Sequence, residues 1–121
     1  MSDAAAEKSV IPENPEDLKL ITLARAAQAR TEAHEGACLR DTDGRAYAAA
    51  SVHLEHLRLS AIAVAVAMAV SSGADGVDGV ALVGEEEPSA ADLEIVRDLA
   101  VDGAVIRWAD ARGTVQLMVE L

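Results

Sequence analysis

The sequence has no phenylalanine, one tryptophan and one tyrosine among its 121 residues. With so few aromatics, aliphatic side chains, chiefly Ala and Val, must fill the core. Small side chains of that kind suit close helix–sheet contact and tight subunit packing. The single cysteine, Cys38, excludes an internal disulfide and any zinc site built from several thiolates. Cations are scarce as well: ten Lys and Arg face 21 Asp and Glu, a formal net charge of −11. Nucleic acids and anionic membranes are bound by basic patches that displace counterions, so neither is an expected partner. No basic segment followed by an apolar one opens the sequence, so no signal peptide is expected. The longest apolar run, Ala61 to Val70, falls well short of the roughly 20 residues that span a bilayer. A cytoplasmic location is the expectation.

What is present points to one globular domain. Hydrophobic residues make up 51% of the chain, and its length matches a single core. Residues 1–14 read as a flexible polar tail, and residues 15–121 as the domain. Asn14 can cap a helix, Pro15 suits its first turn, and Glu16 and Asp17 favour its positive end. Leu18, Ile21, Leu23 and Ala24 continue with near-helical spacing, giving a helix over about 16–33. After Gly36, Ala37–Arg40 and Arg45–Ala50 flank Asp41-Thr42-Asp43-Gly44, a hairpin signature. Ser51 to Arg58 is less regular.

Residues 59–70 allow two readings. Ile62, Val64, Val66, Met68 and Val70 alternate with Ala, the period of a strand. Yet Ala is the best helix former, Ile62, Val66 and Val70 form an i, i+4 stripe, and Gly73 is a natural helix stop. Periodicity leaves strand and helix open. Val77–Val83 reads as a strand, 89–100 as a helix, and 104–108 and 114–121 as two strands. The short connection between the last two makes them antiparallel.

Candidate chemistry is thin. His53-Leu54-Glu55-His56 contains an H-x-E triplet, which supplies a metal ligand and a general acid/base in zinc deaminases, but its Pro-Cys-x-x-Cys partner is missing. It reads as a polar turn or loop. Glu85, Glu86, Glu87 and Asp92 could gather a hard cation, but read as a solvated cluster at a helix start. Ser60 and Ser89 have no identified base, and Cys38 lies in an expected strand as a buried, inert thiol. No cofactor site is expected.

From Leu18 to Leu121 the element order and several strings resemble the small cytidine deaminases. Leu20-Ile21-Thr22-Leu23-Ala24-Arg25-Ala26-Ala27 is similar to the family's first helix. Glu35 to Tyr47 is similar to its first hairpin, commonly V-G-A-A-L-x-x-x-D-G-x-x-Y/F. Ala69-Val70-Ser71-Ser72-Gly73 is similar to the end of its second helix, and Val80–Gly84 to its third strand. The resemblance implies an α/β fold of cytidine-deaminase type. That is a three-layer sandwich of order α-β-β-α-β-α-β-β, with a mixed five-stranded sheet and helices on both faces. It tips residues 60–71 to a helix and implies a homo-oligomer, dimer or tetramer.

The same resemblance implies a site that has lost its chemistry. The family's Cys/His-Ala-Glu falls on Ser60-Ala61-Ile62, replacing one zinc ligand by Ser60 and the proton-shuttling Glu by Ile62. Its Pro-Cys-Gly-x-Cys falls on Pro88-Ser89-Ala90-Ala91-Asp92, leaving Ser89 and Asp92 for the other two ligands. The ribose-binding Asn-x-Glu falls on Ala49-Ala50-Ser51 or Ser51-Val52-His53, according to the end from which residues are counted. Neither keeps the Asn or the Glu. The expectation is a non-catalytic protein with no bound metal that acts by protein–protein or small-ligand binding. The alternative is a divergent cytidine or nucleoside deaminase, a hydrolase with a metal site rebuilt from His53, Glu55 and Asp92.

Overall fold

In the computed structural model, residues 14–121 are described, so the tail expected over 1–14 lies outside the described residues except for Asn14. Helix α1 spans Pro15–Thr31. The Asn14 side chain accepts from the Glu16 N–H at 2.8 Å, as its position before Pro15 predicts. The helix stops two residues earlier than the sequence reading. Glu32 turns into the left-handed region at φ 52°, and the Ala33 N–H bonds back to the Gln28 carbonyl. A glutamate thus takes the place glycine usually fills.

Strands β1 (Gly36–Asp41) and β2 (Ala46–Ala50) form the expected hairpin. A two-stranded ribbon follows, β3 (Val52–His53) with β4 (Arg58–Leu59). Helix α2 spans Ala61–Ser71, settling the ambiguous run as a helix. Then come β5 (Val77–Val83), α3 (Ala90–Arg97), β6 (Ala100–Ala109) and β7 (Val115–Glu120). The main sheet has the order β2-β1-β5-β6-β7. Only β5 and β6 run parallel, joined across α3, while β6 and β7 are antiparallel as their short connection requires.

Two boundaries differ from the sequence reading for a shared reason. The helix expected over 89–100 ends at Arg97, and β6 starts at Ala100 rather than 104. Val77 pairs with Ala100 and Gly79 with Val105, so the intervening residues bulge from the ladder. Gly103, at φ 84°, supplies the backbone conformation that this bulge uses.

The side-chain alternation of the central strands divides the core in two. Cys38, Ala81 and Val83 face α1, meeting Leu20, Ile21 and Ala24. Ala37, Leu39, Val80 and Leu82 face the opposite way, toward α2 and Val96 of α3. The result is a three-layer α/β/α sandwich. On α2 the buried line is Ala61, Ala65 and Ala69, joined by Ile62. The Ile62, Val66, Val70 stripe is buried only at Ile62: Val66 is half-buried and Val70 exposed. Methyl side chains let the helix approach the sheet closely, which leaves the larger Met68 and Val70 outside.

Candidate functional site

The N-termini of α2 and α3 meet at one end of the sheet. Ser60 caps α2: its Oγ accepts from the Ala63 N–H at 3.1 Å. Ser89 caps α3 in the same way, accepting from the Asp92 N–H at 3.0 Å. Both serines satisfy a donor that a helix start leaves without an internal partner. Their second roles connect the helices. The Ser60 hydroxyl donates to Asp92 Oδ1 at 2.6 Å, and Asp92 is buried at 5% exposure. A carboxylate so far from water needs such a donor, and the positive end of α3 favours its charge.

Three of the four positions singled out by resemblance are therefore in one hydrogen-bonded chain: Ser60, Asp92 and Ser89. Ile62 is in the first turn of α2 and fully buried in the apolar core. Sequence reasoning missed a fourth participant. Glu35, just before β1, accepts from the Ala61 N–H through Oε1 at 3.0 Å. Its own N–H donates to Ser51 Oγ at 3.1 Å, which fixes the segment after β2 beside it. Residues 35 and 61 are too far apart for any local pattern to pair them. The only signal was a carboxylate immediately before the glycine that opens β1.

Beside this cluster lies an open cavity of about 580 Å³, lined by Glu35, Ser51, His53, Arg58 and Ser60 among others. His53 and Arg58 come from the ribbon β3–β4 and are exposed. Glu55 and His56 at the ribbon tip pair with each other at 3.2 Å, both almost fully in solvent, in keeping with a polar turn. Glu85, Glu86 and Glu87 are exposed before α3. Among the described residues, no group of three or more His, Cys, Asp or Glu side chains converges as a metal site would require. Nor does the donor set fit zinc. It offers the Asp92 carboxylate and two neutral hydroxyls that already accept from helix N–H groups, and the Glu35 carboxylate beside them is held by the Ala61 N–H. Among the described residues, no helix is long and apolar enough to cross a membrane.

A family model described as "Cytidine deaminase-like" matches residues 13–113. No curated protein sequence matches the chain. Among solved structures, a cytidine deaminase from Burkholderia pseudomallei is similar with a TM-score of 0.74 at 22% identity, covering 84% of this chain and 90% of that one. A cytidine deaminase from Mycobacterium leprae gives a TM-score of 0.67 at 18% identity, covering 86% and 93%. A third, from Mycobacterium tuberculosis, gives 0.64 at 21% identity, covering 73% and 80%. At these identities the likeness concerns the fold.

Proposed function

The chain belongs to the cytidine deaminase-like family, and from that premise we propose that it is a non-catalytic member that works by binding a protein or a small ligand. The observation that carries this reading is the state of Ser60, Asp92 and Ile62. Deamination by this kind of site needs zinc to lower the pKa of a water molecule and a carboxylate to move protons to the base. Where the resemblance implies the proton-moving carboxylate, the chain has Ile62, which carries no transferable proton and is sealed in the core. Where it implies zinc ligands, Ser60 is committed to Asp92 and to Ala63, and Ser89 to Asp92. Loss of such a carboxylate alone commonly costs about 10² to 10⁴ in rate.

The binding partner in this reading includes a second copy of the chain. Helix α2 carries no charged side chain, although the protein holds 31 of them, and Met68 and Val70 stand on its solvent side. A homo-oligomer that covers this face removes apolar area from water and brings no like charges together. A cytoplasmic setting belongs to the same reading.

Elemental analysis of protein grown with added zinc, paired with an absorbance assay on cytidine and deoxycytidine, tests the central statement. We expect substoichiometric metal and turnover at background. Near one zinc per chain with chelator-sensitive turnover overturns it and favours a rebuilt deaminase site. A rise in melting temperature with one member of a nucleoside panel identifies a small ligand. Light scattering at micromolar concentration tests the oligomer, which a monomer mass rules out.

A further inference from the structure

We infer that Ser60, Asp92, Ser89 and Glu35 form a metal-free clasp, which joins the N-termini of α2 and α3 and the approach to β1 by hydrogen bonds where a metal ion would otherwise bridge them. The inference rests on the absence of zinc proposed above and goes beyond it, because it gives the altered positions a present role.

The geometry of the first turn of α2 carries the argument. A helix start leaves its leading N–H groups without internal partners. Here Ala61 N–H is taken by Glu35 Oε1 at 3.0 Å and Ala63 N–H by Ser60 Oγ at 3.1 Å. An ordinary cap would stop there. Ser60 instead spends its hydroxyl proton on Asp92 Oδ1 at 2.6 Å, 32 residues away and on another helix. Asp92 stands three residues after the cap Ser89, where a capping-box acid usually turns back to its own cap N–H. Its bond to Ser60 directs it across to α2. Each element is thus held to another by a side chain that also completes a helix end.

The electrostatics agree. Glu35 and Asp92 both place a carboxylate at the start of α2, Glu35 on the Ala61 N–H and Asp92 on the Ser60 hydroxyl. The positive ends of α2 and α3 suit these two carboxylates without a cation. A dication bound among thiolates would supply the same cross-link through coordination bonds. Here the Ser60 hydroxyl on Asp92 and the Glu35 carboxylate on the Ala61 N–H supply it through hydrogen bonds.

The clasp makes a prediction that ordinary capping reverses. As an isolated N-cap, Ser60→Asp is neutral or favourable, since Asp caps as well as Ser and suits the positive helix end. Within the clasp it sets a second carboxylate against buried Asp92. Thermal unfolding of the full chain is the measurement, for Ser60→Asp, Asp92→Asn and Ser60→Asp/Asp92→Asn, each with and without chelator. We expect Ser60→Asp to lower Tm by about 5–10 °C, equivalent to a loss of one to two net interactions in a domain of this size. Asp92→Asn should regain most of that loss when combined with it, because an amide can donate to the new carboxylate. Chelator should leave the wild-type Tm unchanged.

Ser60→Asp as stable as the wild type overturns the clasp while leaving the metal-free reading intact. Zinc in the wild type, with a Tm that falls on chelation, overturns that reading and the clasp with it. If Ser60→Asp does not fold, the Ser60→Ala and Asp92→Asn cycle decides. Losses that add in full overturn the clasp, and losses that fail to add support it.

Discussion

Arg40 Nη2 of β1 lies 2.9 Å from Asp17 Oδ1 of α1, while its Nε donates to Asp78 Oδ1 of β5 at 2.7 Å. One guanidinium therefore ties the N-terminal turn of α1 to two neighbouring strands. Burial disfavours its charge, but the two carboxylates prevail and raise its pKa, so it stays protonated throughout the working range. Both Arg40 and Asp17 are largely shielded from solvent. Replacing Arg40 by Met strips Asp17 of one partner, though Arg107 Nη2 remains 3.3 Å away. We expect a loss of about 2 kcal/mol, between the values for exposed and fully buried pairs. Urea unfolding should show it as a lower midpoint at unchanged slope. A loss under about 0.5 kcal/mol would class the contact with ordinary surface bridges.

The hairpin around Asp41 was legible residue by residue, because its signal is local. Asp43-Gly44 demands a turn, and the apolar runs on either side supply the strands. Helix α2 was half legible: Ala content and Gly73 spoke for a helix, alternation for a strand. Its buried line could not be read from hydrophobicity, since the sheet selects the small Ala61, Ala65 and Ala69 over the larger Val66 and Val70. The ribbon was illegible for a related reason. Each strand pairs only two residues, and Leu54, Leu57 and Leu59 are exposed, so no burial period exists to detect. At the site, resemblance singled out Ser60, Ser89 and Asp92 without saying that they touch. The Glu35–Ala61 contact depends on the folded chain alone.

Cys38 gives a chemical reporter of the α1 side of the core. Desolvation by burial raises its thiol pKa to about 11, opposed only in part by the Tyr47 backbone and by Arg40. The thiolate is the reactive form, so at pH 8 the native protein should resist a disulfide reagent and react at the rate at which it opens. A folded pKa above the unfolded value of about 8.5 leaves stability intact below pH 8.5 and erodes it as pH rises toward 11. Rapid stoichiometric labelling of the folded protein at pH 8 would place Cys38 outside the core.

Asp41 behaves in the opposite sense. Burial alone would raise its carboxyl pKa. The Arg45 N–H at 2.8 Å, the Tyr47 hydroxyl at 3.0 Å and the Asp43 N–H at 2.9 Å outweigh it and hold the pKa below the usual carboxylate range. A lowered folded pKa contributes stability above the unfolded value of about 3.9, lost as pH falls through the folded pKa. Asp41→Asn should therefore destabilise at pH 7, with a gap from the wild type that narrows below about pH 4. Stability curves for the two proteins from pH 7 to pH 2 check this, and a gap independent of pH would show that the ionised form has no special role.

Two glycines of the same hairpin should fail for different reasons when changed to alanine. At Gly36, where β1 passes beneath α1, an added Cβ would strike the Ala24 carbonyl oxygen and press on Gln28 Cβ at 2.9 Å. The obstacle is mostly helix backbone, which cannot swing away as a side chain would, so α1 must lift from the sheet. Overpacking of this kind typically costs about 1–3 kcal/mol, and rigid neighbours put Gly36→Ala at the upper end. Gly44 has open space around it, with nothing within 4 Å of the new Cβ, but its φ is +86°. There the cost is backbone strain of about 1–2 kcal/mol and involves no neighbour. The two mechanisms separate on a second substitution. Gly44→Asn should recover part of the loss, because Asn tolerates the left-handed region. Gly36→Asn should be worse than Gly36→Ala, since a longer side chain meets the same backbone. Urea midpoints for the four variants make the comparison. If Gly36→Asn proves milder than Gly36→Ala, α1 does not rest on β1 at Gly36.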